Sequence, residues 1–285
     1  WICGDSSYNI FDKDGNQLNG AAGFSPDADE NLVAGTNAGG NLDGTNACFN
    51  ILLGQCAGDG ITSGNSNISI GCLAGKTITT GDKNIAIGED VMSSSAGMTA
   101  DRNIAMGWYA GKELTSGGCN TIMGFNSGSS LTTGTYNSFF GVRSGEGMVS
   151  GSHNFFAGMY IARVANASGN QNIAIGCRSL YSLTSGSDNI TLGRGAGRSL
   201  CSGGCNFVAG KCAGYSLTSG SDNVLIGQCA GRCNSTLNGQ VAIGKEAACC
   251  ACGSNSVFIG TGAAKCMQCA EDSVIIGRQA GRGSS

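Results

Sequence analysis

The chain has 285 residues, a net charge of −3 and 50 glycines, but it has only one proline, Pro26. This acidic balance supplies no basic patch for nucleic acid or for an anionic membrane, and collagen is excluded because no three-residue glycine period exists. Gly, Asn or Ser interrupts every apolar run well short of the roughly 20 residues that cross a bilayer. We therefore expect neither a nucleic-acid partner nor membrane insertion.

Residues 1–30 contain no repeat and are predicted to form an N-terminal connector or cap. Within them, the run from Asp12 to Asn16 is typical of a hairpin turn. The chain begins at Trp1 and shows no signal-peptide pattern, so we expect it to be a processed or partial piece of a longer protein.

From residue 31 to residue 285 the sequence repeats a motif about every 17 residues: Asn-apolar-x-apolar-Gly-x-x-Ala-Gly-x-x-Leu-Thr-Ser-Gly-x-x. A short fixed period indicates one structural unit stacked on itself. The fold class predicted for 31–285 is therefore all-β, a β-solenoid or β-roll of about fifteen 17-residue coils. Position 1 is asparagine at Asn50, Asn67, Asn84, Asn103, Asn120, Asn137, Asn154, Asn172, Asn189, Asn206 and Asn223. Position 5 is the turn glycine at Gly54, Gly71, Gly88, Gly107, Gly124, Gly141, Gly158, Gly176, Gly193, Gly210, Gly227, Gly244, Gly260 and Gly277.

Positions 2 to 4 are predicted to form a short strand in each coil, as in Ile85-Ala86-Ile87. Because positions 2 and 4 are apolar with a period of two, we expect them to face the core and position 3 to face outward. Contiguous exposed apolar surface marks an interface, so position 3 is predicted to pack against other copies, with three copies around an axis as the favoured arrangement. The predicted inter-chain residues are Leu52, Ile122, Phe139, Phe156, Val208, Leu225, Phe258 and Ile275.

The rest of the unit is expected to close the coil. Alanine at position 8 suits a tight corner, and Leu or Ile at position 12, as at Leu114, fills the core from the other side. The asparagines of position 1 are predicted to stack into a ladder of side-chain hydrogen bonds. Extra residues interrupt the period within 92–101 and 163–169, and we expect both segments to bulge outward.

Sixteen cysteines are the unusual feature of the composition. The pattern leaves three roles open: small packing residues or free thiols, disulfides between stacked coils, and a zinc or iron-sulfur site. No other cofactor is expected. The cysteines considered for a disulfide or a metal are Cys212, Cys229, Cys233, Cys249, Cys250, Cys252, Cys266 and Cys269.

Enzymatic activity is not predicted. His153 is the only histidine, so a Ser-His-Asp triad or a His-rich metal site is excluded, while an inter-chain pair of carboxylates stays open. A column of threonines suggests ice binding as a minor alternative, because it resembles a flat threonine array. That column consists of Thr62, Thr79, Thr115, Thr132, Thr184 and Thr218.

The cassette NIAIGCRSLYSLTSGSDNITLGRGAG resembles the repeats in the shafts of tail fibres of marine and cyanobacterial bacteriophages. It is similar, more loosely, to the head repeats of YadA-like trimeric autotransporter adhesins. The resemblance implies a homotrimer located in the virion, with other fibre proteins at both ends and a host surface glycan or protein as a target. The alternative it implies is an extracellular or cell-surface adhesin with the same fold. It also implies a processing junction near Ser284-Ser285 and carries over no catalytic residue.

Overall fold

The computed structural model describes residues 26–44, 46–251, 253–268 and 270–283. Within these ranges the chain forms fifteen short strands and no helix. The predicted turn at 12–16, two of the candidate cysteines (Cys252 and Cys269) and the proposed junction at 284–285 lie outside the described residues. The strands are β1 (Leu32–Ala34), β2 (Ile51–Leu53), β3 (Ile68–Ile70), β4 (Ile85–Ile87), β5 (Ile104–Met106), β6 (Thr121–Met123), β7 (Ser138–Phe140), β8 (Phe155–Ala157), β9 (Ile173–Ile175), β10 (Ile190–Leu192), β11 (Phe207–Ala209), β12 (Val224–Ile226), β13 (Val241–Ile243), β14 (Val257–Ile259) and β15 (Val274–Ile276).

All fifteen strands belong to one parallel sheet, and their order in the sheet is their order in the chain. Each strand pairs with the next so that equal motif positions lie side by side, as Ile85 with Ile104 and Ala86 with Ala105. The chain is thus a β-solenoid of about 14 coils, spaced about 17 residues apart, and the predicted fold class is confirmed. At strand spacings of ~4.8 Å the sheet is on the order of 70 Å long.

The two faces of the strands are the reverse of the sequence prediction. The middle residue of the strand points into the coil: Phe139, Phe156 and Phe258 are fully buried, whereas the residues on either side of them are partly or largely exposed. In a three-residue strand, alternation shows that neighbouring residues lie on opposite faces, but it does not show which face is turned to the core. Both faces are apolar here, so hydrophobicity does not decide between them. The assignment of an inter-chain interface to Leu52, Ile122, Phe139, Phe156, Val208, Leu225, Phe258 and Ile275 is therefore wrong; the first seven are fully buried inside the coil and Ile275 is partly buried.

The core is a narrow column with three apolar contributions from each coil. The middle residue of each strand, at position 3 of the motif, lies in the core with the alanine of position 8 and the leucine or isoleucine of position 12. Ala110 and Leu114 are fully buried examples of the last two positions. The rings of Phe139 and Phe156 stack with centroids 5.0 Å apart. A Cβ atom at Gly145 would lie 2.6 Å from Cε2 of Phe139, so the small residue at position 9 makes room for this ring.

Glycine at position 5 is required by the approach of neighbouring coils. The backbone of Gly124 has a φ of 133°, and a Cβ atom there would lie 2.5 Å from the carbonyl oxygen of Gly141 in the next coil. Both the conformation and the space exclude an L side chain. This contact recurs between coils and explains why position 5 does not vary.

The two irregular segments bulge less than the sequence suggests. Met92 and Met98 are fully buried, and Met98 forms a parallel bridge with Ile78; in the first segment only residues 95–97 and Thr99 are exposed. In the second segment, Ala167 is buried and bridges to Met148. Both segments therefore fold back onto the coil, because Met98 and Ala167 occupy the core beside the position 12 residues of the neighbouring coils.

A ladder of buried asparagine side chains runs beside the sheet. Each Nδ2 group donates to the Oδ1 atom of the preceding asparagine at 2.8–3.2 Å. For Asn137, Nδ2 also donates to the carbonyl of Gly151 at 2.8 Å, and its Oδ1 accepts both the N–H and the Nδ2–H of Asn154 at 3.0 Å. Each amide therefore satisfies buried groups of three successive coils.

The ladder predicts a large cost for removing one amide. We expect Asn137→Ala to lower the free energy of unfolding by about 1–3 kcal/mol, because the buried N–H of Asn154 loses its acceptor. Asn137→Ser should cost less, since Ser256 at the same position accepts the N–H of Ser273 at 3.1 Å. Urea unfolding at fixed chain concentration measures both.

Asn238→Ala is the matched control for this series. Its Oδ1 atom accepts the N–H of Ser221 at 2.9 Å in an exposed turn, where water can replace it. We expect a loss below about 0.5 kcal/mol. Equal losses at Asn137 and Asn238 would contradict a structural role for the buried ladder.

Candidate functional site

Three surface features carry chemistry beyond the coil itself. They are the outer face of the sheet, a column of arginine and tyrosine side chains, and a group of three thiols. Because the coils stack in register, each motif position becomes a column along the rod, and each feature occupies its own column.

The outer face of the sheet is formed by the first and third residues of each strand. None of these residues carries a charge, and only Thr121 and Ser138 carry a polar group. Most of these side chains are partly exposed, and Ile173 and Ile175 are 37% and 42% exposed. Contiguous apolar surface of this length marks an interface. An apolar outer face was predicted from the sequence, but the residues assigned to it were those of position 3, which lie in the core.

Arginine and tyrosine alternate at position 10 of five successive coils: Arg163, Tyr181, Arg198, Tyr215 and Arg232. The guanidinium carbon of Arg198 lies 5.3 Å from the ring centroid of Tyr181 and 5.2 Å from that of Tyr215. Its Nη1 also donates to the Tyr215 hydroxyl at 2.9 Å. We call this set the Arg–Tyr column, and its stacking contacts hold long basic side chains in fixed positions.

A cleft of about 370 Å³ lies beside the Arg–Tyr column. Arg178, Arg194, Arg198 and Arg232 line it, and no carboxylate does. Gly195 also lines the cleft and has no side chain to fill it. A Cβ atom at this position would lie 3.6 Å from the Tyr215 ring. The Nε atom of Arg198 is buried and has no hydrogen-bond partner. Clustered guanidinium groups of this kind suit an anionic ligand, because they bind carboxylate, sulfate and phosphate in bidentate fashion.

The sequence analysis did not identify the Arg–Tyr column. The signal was present, since Tyr181, Arg198, Tyr215 and Arg232 are each separated by one period of 17 residues. The spacing predicts contact between these side chains only once the register of the coils is known, because the register places equal motif positions side by side.

The third feature is a group of thiols where two coils meet. The Sγ atoms of Cys233, Cys249 and Cys250 lie within 4.8 Å of one another; Cys249 is 4.0 Å from Cys233 and 3.8 Å from Cys250. Burial is the main cause that raises the pKa of Cys249 to about 11, and it also raises the pKa of Cys250. Cys249 and Cys250 are therefore neutral thiols at pH 7 in the protein without a metal.

Of the remaining candidate cysteines, the three that lie within the described residues are not part of this group. Cys212, Cys229 and Cys266 are half-buried free thiols, and all cysteines within the described ranges are free. Elsewhere in those ranges, no set of three histidine, cysteine, aspartate or glutamate side chains is arranged to hold a metal ion. The ring of His153 stacks on Tyr136 with centroids 5.0 Å apart.

The threonine column has a structural role within the turn. The hydroxyl of Thr62 donates to the carbonyl of Thr79 at 3.2 Å, and that of Thr184 donates to the carbonyl of Cys201 at 2.9 Å. Thr79, Thr115, Thr132 and Thr218 donate in the same way to the next coil. These hydroxyl donors therefore already have acceptors within the protein.

No family model, curated protein or solved structure matches this chain. Within the part of the chain that the structure describes, no helix is long and apolar enough to cross a lipid bilayer.

Proposed function

We propose that this chain is the shaft of a homotrimeric viral tail fibre, which holds a host-attachment tip away from the particle. The observation that carries the proposal is the uncharged apolar outer face that runs along the sheet from β1 to β15. The resemblance of the repeats to phage tail-fibre shafts supports the viral assignment. A cell-surface adhesin with the same trimeric fold is the alternative.

The apolar outer face favours assembly because one copy cannot hide it. Every strand runs in the same direction and in register, so the face is a single continuous strip on one side of the rod. Turning the strips of several copies toward a common axis buries all of them in a closed assembly, as cyclic symmetry requires. The repeats' likeness to trimeric shafts favours three copies over two.

The assembly predicts a mass of three chains. Light scattering of the purified protein should give three times the 28.5 kDa of one chain. We expect the double variant Ile173→Glu/Ile175→Glu to lower this mass, because it places charges in the strip that must be desolvated. Thr236→Glu, in an exposed turn away from the strands, is the control and should leave the mass unchanged. A soluble monomeric wild-type protein would refute the assembly.

We also propose that the Arg–Tyr column contacts an acidic polysaccharide of the host surface. The observation favouring this is the clustering of four arginines around one cleft of a protein whose net charge is negative. Arg163, Arg198 and Arg232 recur at every second coil, or roughly every 10 Å at the usual strand spacing. Nε of Arg163 is already paired with Glu146 at 2.6 Å, so the proposal rests on the arginines of the cleft. A regularly charged sugar polymer lying along the rod would meet this series of guanidinium groups.

Dextran sulfate and uncharged dextran of equal length test this proposal. We expect the protein to bind dextran sulfate, and binding to weaken as salt rises because exposed charges are screened. Arg178→Gln/Arg198→Gln should weaken binding by about tenfold, the equivalent of 1.4 kcal/mol. Lys76→Gln/Lys83→Gln removes the same charge from exposed sites of other coils and should change binding little. Equal weakening by both double variants would indicate only nonspecific attraction and would contradict the assignment.

A further inference from the structure

The group formed by Cys233, Cys249 and Cys250 has the dimensions of a metal site. Metal–sulfur bonds are about 2.3 Å long. If one ion lay in the plane of three sulfur atoms at this distance, the sulfurs would be separated by about 4.0 Å. Two of the three observed separations, 4.0 Å and 3.8 Å, match this value, and the third, between Cys233 and Cys250, is no more than 4.8 Å. We propose that these three cysteines bind one soft metal ion, with copper(I) as the occupant.

The fold places the three thiols together without a loop dedicated to them. Cys233 and Cys250 occupy position 11 of successive coils, so the register sets them one strand spacing apart. Cys249 lies beside them at position 10 and is almost fully buried. Its N–H donates to the carbonyl of Glu246 at 3.2 Å, and its own carbonyl accepts the N–H of Cys266 at 2.9 Å. These two bonds hold the Cys249 backbone within its own turn and against the coil that follows.

The donor set selects a soft ion. The group consists of three sulfur atoms and contains neither histidine nor carboxylate among the described residues. Thiolates favour copper(I) and zinc over magnesium, calcium or manganese. Structural zinc sites almost always have four protein ligands, whereas the described group supplies three. Copper(I), which accepts three sulfur ligands, fits the group better.

Neighbouring charges offset the charge of the filled site. Three thiolates and one copper(I) ion carry a net charge of −2, which is costly to place at a partly buried position unless cations are near. Arg232 directly precedes Cys233, and attraction to the ionised forms of Cys229 and then Cys233 raises the pKa of its guanidinium. Lys265 is held at 2.5 Å from Glu246 and also interacts with Cys249. Arg232 and the Lys265–Glu246 ion pair thus flank the thiols, and because Glu246 already balances Lys265, Arg232 is the cation that partly offsets the filled site.

Binding is a proton exchange without a change of oxidation state. Each S–H bond that breaks releases one proton to water, and each sulfur forms one bond to copper(I), so up to three protons leave for each ion bound. Affinity should therefore rise with pH. The competing reaction, a disulfide between Cys233 and Cys249, requires an oxidant and removes two of the three ligands.

The test is an anaerobic titration of the full, reduced chain with copper(I), using bicinchoninate as a competing chelator. We expect the first equivalent per chain to bind more tightly than any later one and to release protons. In the same sample it should protect Cys233, Cys249 and Cys250 from iodoacetamide, as measured by peptide mass spectrometry. Protection needs no variant and thus does not depend on whether a mutant folds.

Variants locate the site. Cys249→Ser should weaken the first equivalent by more than the roughly 10–100-fold cost of losing an outer-shell partner, with an unchanged circular dichroism spectrum. Cys205→Ser removes an exposed thiol outside the group and should leave affinity unchanged. Absence of a tight first equivalent, protection of other cysteines instead, or tighter binding of zinc than of copper(I) would each overturn the proposal. So would formation of the Cys233–Cys249 disulfide in the protein as isolated under anaerobic conditions.

Discussion

The in-register hydrogen bonding of the buried asparagines is the constraint on which the other features of the rod depend. Each amide bridges three coils, and a slip of one residue would leave several buried donors and acceptors without partners. The close approach of the position 5 glycines reinforces the same register. Because the register is fixed, a residue type that recurs once per period becomes a straight column, and a column presents its chemistry along the whole rod.

The repeat, the solenoid and the small residues of the corner could be predicted because they depend only on the period of the sequence. The direction of the strand faces could not, since Phe139 and Phe140 are both aromatic and the pattern does not distinguish inside from outside. The wrong choice of phase moved the predicted interface to residues that form the core. Cys233 and Cys250 share position 11 of successive coils, so their proximity follows from the period, but the third thiol, Cys249, joins them through a turn conformation that no spacing rule describes.

The three surface features differ in how strongly they depend on repetition. The apolar strip is present in every coil, so its effect accumulates with the length of the rod. The Arg–Tyr column spans five coils, and the thiols span one contact between two coils. The apolar strip, which has a structural role, is formed by residues that every repeat contains. The Arg–Tyr column and the thiols, which we propose bind ligands, are formed by residues found in only a few repeats. This division is common in repeat proteins, in which each unit contacts only its neighbours.

The asparagine ladder ends where Gln240 replaces the amide of position 1, and this has a consequence for how the rod opens. The Oε1 atom of Gln240 is buried without a partner, and Ser256 and Ser273 continue the column with shorter side chains. Local openings of low free energy should therefore begin in the last coils and stop at Asn223, as in proteins that unfold in segments. Cys233 lies in the coil of Asn223 and Cys249 in the coil of Gln240. A link between their sulfur atoms, through an ion or a covalent bond, would therefore join the two coils at this point and oppose local opening of the C-terminal end.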